Sequence, residues 1–320
     1  MADGAVFAAA LAGATALTPV AAAGGRRIGL VDRPSRDQLK IHVADVPNTG
    51  GLAILVAFAI GLSISDGPGW SLAVATACVC VGLVDDLVQL PPWSRVLALG
   101  AAGAMLALGT GMDAAPASWL WAGFQTTVVA NAVNLMDGQD GLAAGLGAVA
   151  ALGLAWLGAG PTGFALAGAL VGFLFWNRPP ARCFMGNGGA YGVGGILSAL
   201  ALSVEAGSGW SGFVVAGGCL ALFLFELGST ALRRAGARPA GGLAGGDRSH
   251  SYDVLSARLG SRGVATLTFW LLGAACAVMA RFAAGSPGVG GVALVVCGVA
   301  VTVLFGLRGG KELRARAAGP

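Results

Sequence analysis

Two adjacent carboxylates, Asp85 and Asp86, end a long apolar stretch of the sequence. Neighbouring negative charges repel each other and lie unfavourably at the negative end of a helix dipole. A divalent cation would relieve both penalties, and carboxylate oxygens suit Mg²⁺. Because adjacent helical positions diverge by about 100°, one carboxylate could hold a cation or substrate while the other holds a lysine or acts as a base. An ordinary solvated loop start is the alternative.

Two amides and two carboxylates are concentrated in residues 131–142, between two apolar stretches. Asn131 and Asn134 share a face if they are helical, and so do Asp137 and Asp140. Both aspartates are followed by glycine, which predicts turns with positive φ. The segment lacks the terminal glutamate of an EF-hand loop. Four polar side chains at this depth are costly unless they are used, so the spacing predicts a binding or catalytic site.

Residues 176–189 contain two arginines followed by three glycines. Arg178 and Arg182 could clamp a phosphate. The glycines at 186, 188 and 189 would let backbone amides approach an anion at the start of the next helix. The alternative is that these arginines only follow the charge bias of cytoplasmic loops.

The two histidines of the chain lie in two further polar segments. His250 is flanked by Arg248 and Tyr252, which could contact a phosphate or a uracil; a solvated loop histidine is the alternative. Lys40 and His42 lie in the first polar segment, where basic residues could serve a lipid phosphate, although a cytoplasmic charge bias explains most of them.

The segments that must position these residues are apolar and long. Of the 320 residues, 56% are hydrophobic and 11% are charged, whereas a soluble domain carries about 25% charged residues. Runs of about 20 apolar residues suffice to cross a bilayer. The pattern predicts one all-α integral membrane domain over 1–320 with about eleven transmembrane helices. Their expected ranges are 5–23, 49–65, 70–84, 95–111, 115–131, 141–158, 161–176, 189–204, 211–229, 263–283 and 287–306.

The distribution of charge predicts the orientation of these helices. Alternate connections and the C-terminal tail hold 18 of the 19 Lys and Arg residues, and Arg281 is the exception. The positive-inside rule then places the N-terminus outside and the C-terminus in the cytoplasm. No basic residue precedes the first apolar run, so 5–23 is expected to be a retained span rather than a signal peptide. The predicted cytoplasmic loops are 24–48, 85–95, 132–140, 177–188 and 230–262.

Taken together and in this order, the polar segments resemble the polyprenyl-phosphate N-acetylhexosamine-1-phosphate transferase superfamily, which is of glycosyltransferase family 4 type. The superfamily includes undecaprenyl-phosphate GlcNAc-1-phosphate transferases and phospho-MurNAc-pentapeptide translocases. The resemblance extends from about residue 29 to residue 250, and the expected eleven-span outline is similar. Its most specific parts are the pair Asp85 and Asp86 and the run at 131–142.

The resemblance implies Mg²⁺-dependent transfer of a sugar-1-phosphate from a UDP-sugar to a polyprenyl phosphate, with release of UMP, in cell-envelope glycan synthesis. Mn²⁺ is an alternative ion. By analogy Asp85, Asp86 and Asp137 are catalytic, and the pair lies near the metal and the lipid phosphate. The implied substrate-binding residues are Lys40, His42, Asn131, Asn134, Asp140, Arg182, Arg248 and His250, and the implied metal ligands are Asp137 and Asn187.

The same resemblance implies a multi-pass protein of the inner (plasma) membrane with a cytoplasmic active site. Its expected partners are the UDP-sugar, the polyprenyl phosphate and membrane lipids, without nucleic acid, and a homodimer is compatible with it. Leu39 stands where an arginine is usual in the first-loop motif. His250 matches the first histidine of a His-x-His-His element, but Ser251, Tyr252 and Asp253 replace the rest. This departure favours a GlcNAc-type donor over the pentapeptide branch.

A second departure leaves two alternatives to an active enzyme open. Asn187 occupies a position where the family pattern has an aspartate expected to bind Mg²⁺. An amide oxygen can still coordinate, but the site loses one negative charge, so one alternative is an inactive or binding-only paralogue. The other is a membrane transporter, which is disfavoured because transporter sites lie near the bilayer midplane, whereas these carboxylates gather at one face.

Overall fold

The computed structural model of the protein describes residues 2–34, 44–65, 69–110, 112, 115–237 and 249–285. The regular secondary structure of these residues is helical apart from one short antiparallel strand pair, β1 (Val31–Asp32) with β2 (Val46–Pro47). The helices are α1 (Ala2–Ile28), α2 (Gly50–Ile64), α3 (Gly69–Val88), α4 (Pro92–Ala104), α5 (Pro116–Met136), α6 (Leu142–Leu154), α7 (Gly160–Asn177), α8 (Gly186–Cys219), α9 (Ala221–Ala237), α10 (Ser251–Leu259) and α11 (Arg262–Gly285).

Helix α8 forms the centre of the described structure. It packs against α2, α3, α5, α6 and α11, while α1 packs against α2 and α7, and α4 lies along α5. Nearly every residue of α8 from Gly188 to Leu202 is buried. Small residues on this helix allow close approach of neighbouring backbones, as membrane helix packing requires. The N-terminus of α8 lies against α2 and α3, because Cβ atoms on Gly188 and Gly189 would contact Leu83 and Gly51.

Five helical stretches of the described residues are long and apolar enough to cross a membrane: α1, α3, the joined pair α6 and α7, α8 and α11. This confirms the expected all-α membrane protein. The number of eleven spans and the orientation of the termini stay predictions. The last expected span, 287–306, lies outside the described residues.

Several helix boundaries differ from the expected ones. The expected gap between 204 and 211 contains a kink, because α8 consists of two helical segments joined at the non-helical residue Gly209 (φ +58°). Helices α3 and α5 extend to Val88 and Met136, so Asp85, Asp86 and Asn134 lie on helices instead of in loops. Apolar content alone marks the lipid-compatible part of a helix, whereas the helix itself continues into polar residues.

Candidate active site

Helices α3 and α8 touch at a glycine of α3. A Cβ atom on Gly82 would collide with the backbone carbonyl of Asn187, so only glycine permits this separation of the two helices. One turn further along α3, Asp86 lies over the N-terminus of α8, where its carboxylate accepts hydrogen bonds from Asn187 N (3.2 Å) and Gly188 N (3.3 Å). Unpaired amides at a helix N-terminus favour an anion. In this structure the anion at the glycine-rich start of α8 is the Asp86 carboxylate.

Asp85 is buried, with 3% exposure, and its carboxylate is enclosed by donors. Oδ1 accepts a hydrogen bond from Leu90 N (2.8 Å), and Oδ2 accepts hydrogen bonds from Tyr191 Oη (3.1 Å), Asn187 Nδ2 (3.1 Å) and Arg95 Nη1 (3.2 Å). Arg95 neutralises the charge in an ion pair. These contacts favour a positioning role, because a carboxylate with four donors has little capacity left to accept a proton from substrate.

Asn134 and Asn187 join α5 to α8. Asn134 Nδ2 donates a hydrogen bond to Asn187 Oδ1 (2.7 Å), while Asn187 Nδ2 donates to Asp85. The opposite orientation of the Asn187 amide would direct its oxygen at the Asp85 carboxylate and is therefore unfavourable. Asn131, one turn back on α5, donates to the carbonyl of Thr127 (2.8 Å) in its own helix.

Asp137 follows the last residue of α5 and is half-buried. Desolvation by the surrounding protein raises the pKa of its carboxyl group well above the ordinary value, and the negative charges of Asp86 and Asp140 raise it further. Among the described residues, no donor forms a hydrogen bond or ion pair with this carboxylate. Asp137 thus differs from Asp85 and Asp86, whose charges are compensated by donors.

The turn after Asp137 is fastened to the segment that precedes α8. Asp140 Oδ2 accepts a hydrogen bond from Ala181 N (3.0 Å). The buried Asn177 accepts one from Gly141 N (3.0 Å) and donates one to the carbonyl of Cys183 (3.0 Å). Gly141 has the expected positive φ (+75°), whereas the same expectation for Gly138 is wrong. Arg182 is exposed, and its guanidinium lies over the ring of Trp176, 5.9 Å from the centroid.

The segment that carries His250 also reaches this turn. His250 is buried and precedes α10, and its ring stacks on that of Tyr252 with centroids 5.2 Å apart. A Cβ atom on Gly138 would collide with the Tyr252 hydroxyl, which shows that the tyrosine lies directly against the turn between Asp137 and Asp140. Lys40, His42 and Arg248 lie outside the described residues.

A divalent cation fits the donors at this place. Asp137, Asp86 and Asp140 offer only oxygen atoms, and desolvation together with the charges of Asp86 and Asp140 raises the pKa of the Asp137 carboxyl group. Within the described ranges no three His, Cys, Asp or Glu side chains form a complete metal site. Mg²⁺ commonly uses one or two carboxylates and completes its shell with water and substrate phosphates. An incomplete carboxylate cluster, in which Asp137 has no donor, is therefore compatible with a cation that binds together with substrate.

Several residues that hold the site residues in place were not among the candidates predicted from the sequence. Tyr191 and Arg95 hold Asp85, Asn177 holds the turn at Gly141, and Glu226 contacts His250 (Oε1 to Nδ1, 2.8 Å). Arg95 is accounted for by the charge bias of loops and Tyr191 by apolar packing, so neither stands out by type. Glu226 differs from these two residues, because a carboxylate within the apolar range 211–229 stands out in the sequence.

Comparison with known proteins identifies related sequences. The family model described as glycosyl transferase family 4 matches residues 69–205. The chain is 33% identical over 234 residues to a phospho-N-acetylmuramoyl-pentapeptide-transferase of Synechococcus, which covers 62% of this chain and 68% of the relative. It is also 33% identical over 211 residues to a probable undecaprenyl-phosphate N-acetylglucosaminyl 1-phosphate transferase of Bacillus subtilis, which covers 58% of each chain.

A third relative matches a shorter segment at higher identity. A phospho-N-acetylmuramoyl-pentapeptide-transferase of Microcystis aeruginosa is 45% identical over 115 residues, or 34% of this chain and 30% of the relative. The matched family segment, 69–205, contains Asp85, Asp86, Asp137 and Asn187. Relatives named for the two kinds of donor match at the same 33% identity, so identity does not distinguish between the donors.

Proposed function

Because the chain belongs to the polyprenyl-phosphate N-acetylhexosamine-1-phosphate transferase superfamily (glycosyl transferase family 4), we propose that it transfers a sugar-1-phosphate from a UDP-sugar to a polyprenyl phosphate and releases UMP. The observation that carries the proposal is the convergence of Asp86, Asp137, Asn134 and Asn187, from three segments, at the N-terminus of α8. The departures from the histidine element at 251–253 favour an N-acetylglucosamine donor.

The proposed reaction balances without a protein nucleophile. A phosphate monoester has a second pKa near 6, so the lipid phosphate is largely a dianion at neutral pH. One of its oxygens attacks the β-phosphorus of the UDP-sugar, the bond from that phosphorus to the bridging oxygen breaks, and the oxygen leaves with UMP. Attack at phosphorus leaves the anomeric bond of the sugar intact, so its configuration is retained.

The residues of this chain would bring two anionic substrates together. Asp137 and Asp86 would hold Mg²⁺, which when bound neutralises phosphate charge and stabilises the leaving group. Asn134 and Asn187 would form the polar wall between α5 and α8. Asn187, the second expected metal ligand, accepts one hydrogen bond at Oδ1 from Asn134 Nδ2 and keeps a second lone pair with which that oxygen could coordinate.

In this proposal Asp85 acts through its neighbours instead of as a base. Its contacts with Asn187, Tyr191 and Arg95 would fix the start of α8 and thereby the position of Asp86. The interpretation that one carboxylate of the pair Asp85 and Asp86 acts as a base stays a prediction. Multi-pass insertion in the inner membrane, eleven spans and a cytoplasmic site are parts of the same proposal, supported by the distribution of Lys and Arg.

The test is direct transfer by purified protein. Radiolabelled UDP-GlcNAc, polyprenyl phosphate and Mg²⁺ are incubated with the protein, and label is counted in the lipid phase while UMP is measured in the aqueous phase. We expect equal amounts of lipid-linked label and UMP, and loss of both with EDTA. Absence of both products from folded protein, with UDP-muramoyl-pentapeptide tested as the second donor, would contradict the proposal.

A binding-only member of the family is the second candidate, and Asn187 favours it. Restoring the carboxylate with Asn187→Asp separates the two functions in the same assay. If only the variant transfers label, the natural chain is the binding-only form. If the natural chain also transfers label, the amide is compatible with catalysis.

A further inference from the structure

Glu226 is a fully buried carboxylate (0% exposed) on α9, and its two oxygens have different partners. Oε1 accepts a hydrogen bond from Thr230 Oγ1 (3.0 Å) and lies 2.8 Å from His250 Nδ1. Oε2 accepts hydrogen bonds from Ser251 N (3.2 Å) and from the Ser251 hydroxyl. A buried carboxylate is costly unless it is paired and hydrogen-bonded, so this set of contacts accounts for its retention in an apolar helix.

The same contacts fix the start of α10. His250 directly precedes this helix, and the amide of Ser251 is one of the donors that a helix leaves unpaired at its N-terminus. A negative charge at that position is favourable. Glu226 therefore joins α9 to the beginning of α10 by a charge and by hydrogen bonds.

Helix α10 in turn touches the candidate active site. Tyr252 stacks on the His250 ring and places its hydroxyl against Gly138, between Asp137 and Asp140. Further along α10, Ser256 Oγ donates a hydrogen bond to Gln139 Oε1 (3.0 Å). The position of α10 is thus coupled by contact to the turn that carries Asp137.

We propose that Glu226 is a positioning residue for the transfer reaction, acting through His250. A histidine whose Nδ1–H is held by a carboxylate has a fixed ring and a fixed tautomer, and it presents Nε2 to its other partner. Glu226 therefore determines that Nε2 of His250 is the nitrogen available to a substrate phosphate. The inference concerns the substrate contact of His250 and so rests on the proposed function.

Two readouts separate this role from mere support of the fold. The first is the proton position on His250, read from long-range ¹⁵N–¹H correlation spectra of the full chain labelled at its two histidines, with His250→Ala to assign the signals. We expect a proton on Nδ1 in the natural chain. In Glu226→Leu the carboxylate acceptor is removed, and the Thr230 hydroxyl, 3.5 Å from Nδ1, is a longer and weaker partner. We therefore expect the signals to shift towards those of an imidazole in which both tautomers are populated.

The second readout is a double-mutant comparison of transfer rates. We expect Glu226→Leu to lower kcat/KM by about 10- to 100-fold, as for other groups that orient a functional histidine. His250→Ala should cause a loss of at least that size, and the double variant should lose no more than His250→Ala alone. The matched control is Glu205→Leu on α8, a carboxylate that accepts hydrogen bonds from Trp121 and Gln125 and has no contact with His250; its rate should stay within about twofold.

Each outcome decides one of the two proposals. An unchanged His250 spectrum in Glu226→Leu, or fully additive losses in the double variant, would overturn the positioning role. If the natural chain transfers no label, the proposed function fails, but the spectra still decide whether Glu226 sets the tautomer. If Glu226→Leu does not fold, Glu226→Asp replaces it. Its carboxylate is one methylene shorter, so we expect it to disturb the His250 signals, and an undisturbed spectrum again overturns the role.

Discussion

Helices α5 and α8 carry a polar cluster at each end of their contact, and the two clusters are built differently. At one end Glu205 accepts hydrogen bonds from Trp121 Nε1 (3.1 Å) and Gln125 Nε2 (2.7 Å), beside an apolar cavity of about 240 Å³. At the other end Asn134 donates a hydrogen bond to Asn187, and Asn187 donates to the carboxylates of Asp85 and Asp86 on α3. About 27 Å of ideal helical rise along α8 separates Asn187 from Glu205.

The difference lies in how negative charge is compensated. Glu205 is a single carboxylate that two neutral donors already satisfy. At the Asn187 end, Arg95 compensates Asp85 and backbone amides compensate Asp86, while Asp137 faces like charges. Carboxylates that repel each other at close range are stabilised by a bound cation or by protonation of one of them. We therefore expect the Asn187 end of α8 to carry the function and the Glu205 end to support the structure.

The largest expected effect is on transfer activity when the Asp137 charge is removed. Asp137→Asn should reduce label transfer by about 100-fold or more, the usual scale for loss of a group that stabilises transferring charge. Glu205→Gln, the same change at the other cluster, should stay within about twofold. Unfolding of both variants is followed in detergent, and Asp137→Asn should be at least as stable as the natural chain because it relieves repulsion. Equal losses in the two variants would remove the distinction between the clusters.

A second effect tests the close contact that forms the site. Gly82→Ala places a methyl group against the Asn187 carbonyl, and overpacking of this kind costs about 1–3 kcal/mol. The control is Gly24→Ala on α1, where no atom lies within 4 Å of the added Cβ. Thermal unfolding should show a lower midpoint for Gly82→Ala and an unchanged or slightly higher one for the control. A neutral Gly82→Ala would mean that α3 and α8 are not held this closely.

A third effect, of similar size, concerns the amide at 187. In Asn187→Asp a carboxylate replaces the donor that now reaches Asp85 Oδ2 at 3.1 Å, so without divalent cation the free energy of unfolding should fall by about 1–3 kcal/mol. Mg²⁺ should restore it, and at lower concentration than the natural chain requires. Asn131→Asp, whose amide bonds only to its own helix in the described structure, should not gain this response. An equal response to Mg²⁺ in all three proteins would contradict the predicted cation position.

The smallest expected effect is the pH dependence of stability without divalent cation. The raised pKa of Asp137 means that the native chain binds a proton that the unfolded chain releases above about pH 4. Stability of the natural chain should therefore fall, relative to Asp137→Asn, as pH rises from about 4 through the raised pKa. Paired melting curves across this range measure the difference. A difference that stays constant with pH would show that Asp137 is not desolvated.

The sequence predicts the membrane fold and the gathering of Asp86, Asn134, Asp137 and Asn187, because polar residues beside apolar spans must meet at a helix end. The sequence does not predict which hydrogen bonds form within this cluster. The glycines at 186–189 indicate an anion at the start of α8, but the occupant is Asp86, set by the contact of Gly82 with Asn187. That contact depends on how two helices far apart in the chain pack against each other. A local hydrophobic pattern does not determine this packing.

Long-range partners are unpredictable for the same reason. Tyr191 reads as a packed aromatic residue, yet it holds Asp85 across 106 positions of the sequence. Glu226 reads as an isolated charge in a span, and its partners lie 24 and 25 residues away in a segment expected to be a loop. The short helix α10 is absent from the predicted elements because nine residues of low hydropathy do not resemble a membrane helix.

The most direct test of the central claim is Mn²⁺ binding to the purified chain, followed by electron paramagnetic resonance in the presence of UDP. We expect a saturable site that is retained in Glu205→Gln and lost in Asp137→Asn. Undiminished Mn²⁺ binding in Asp137→Asn would contradict the claim that the carboxylates at the Asn187 end of α8 hold the cation.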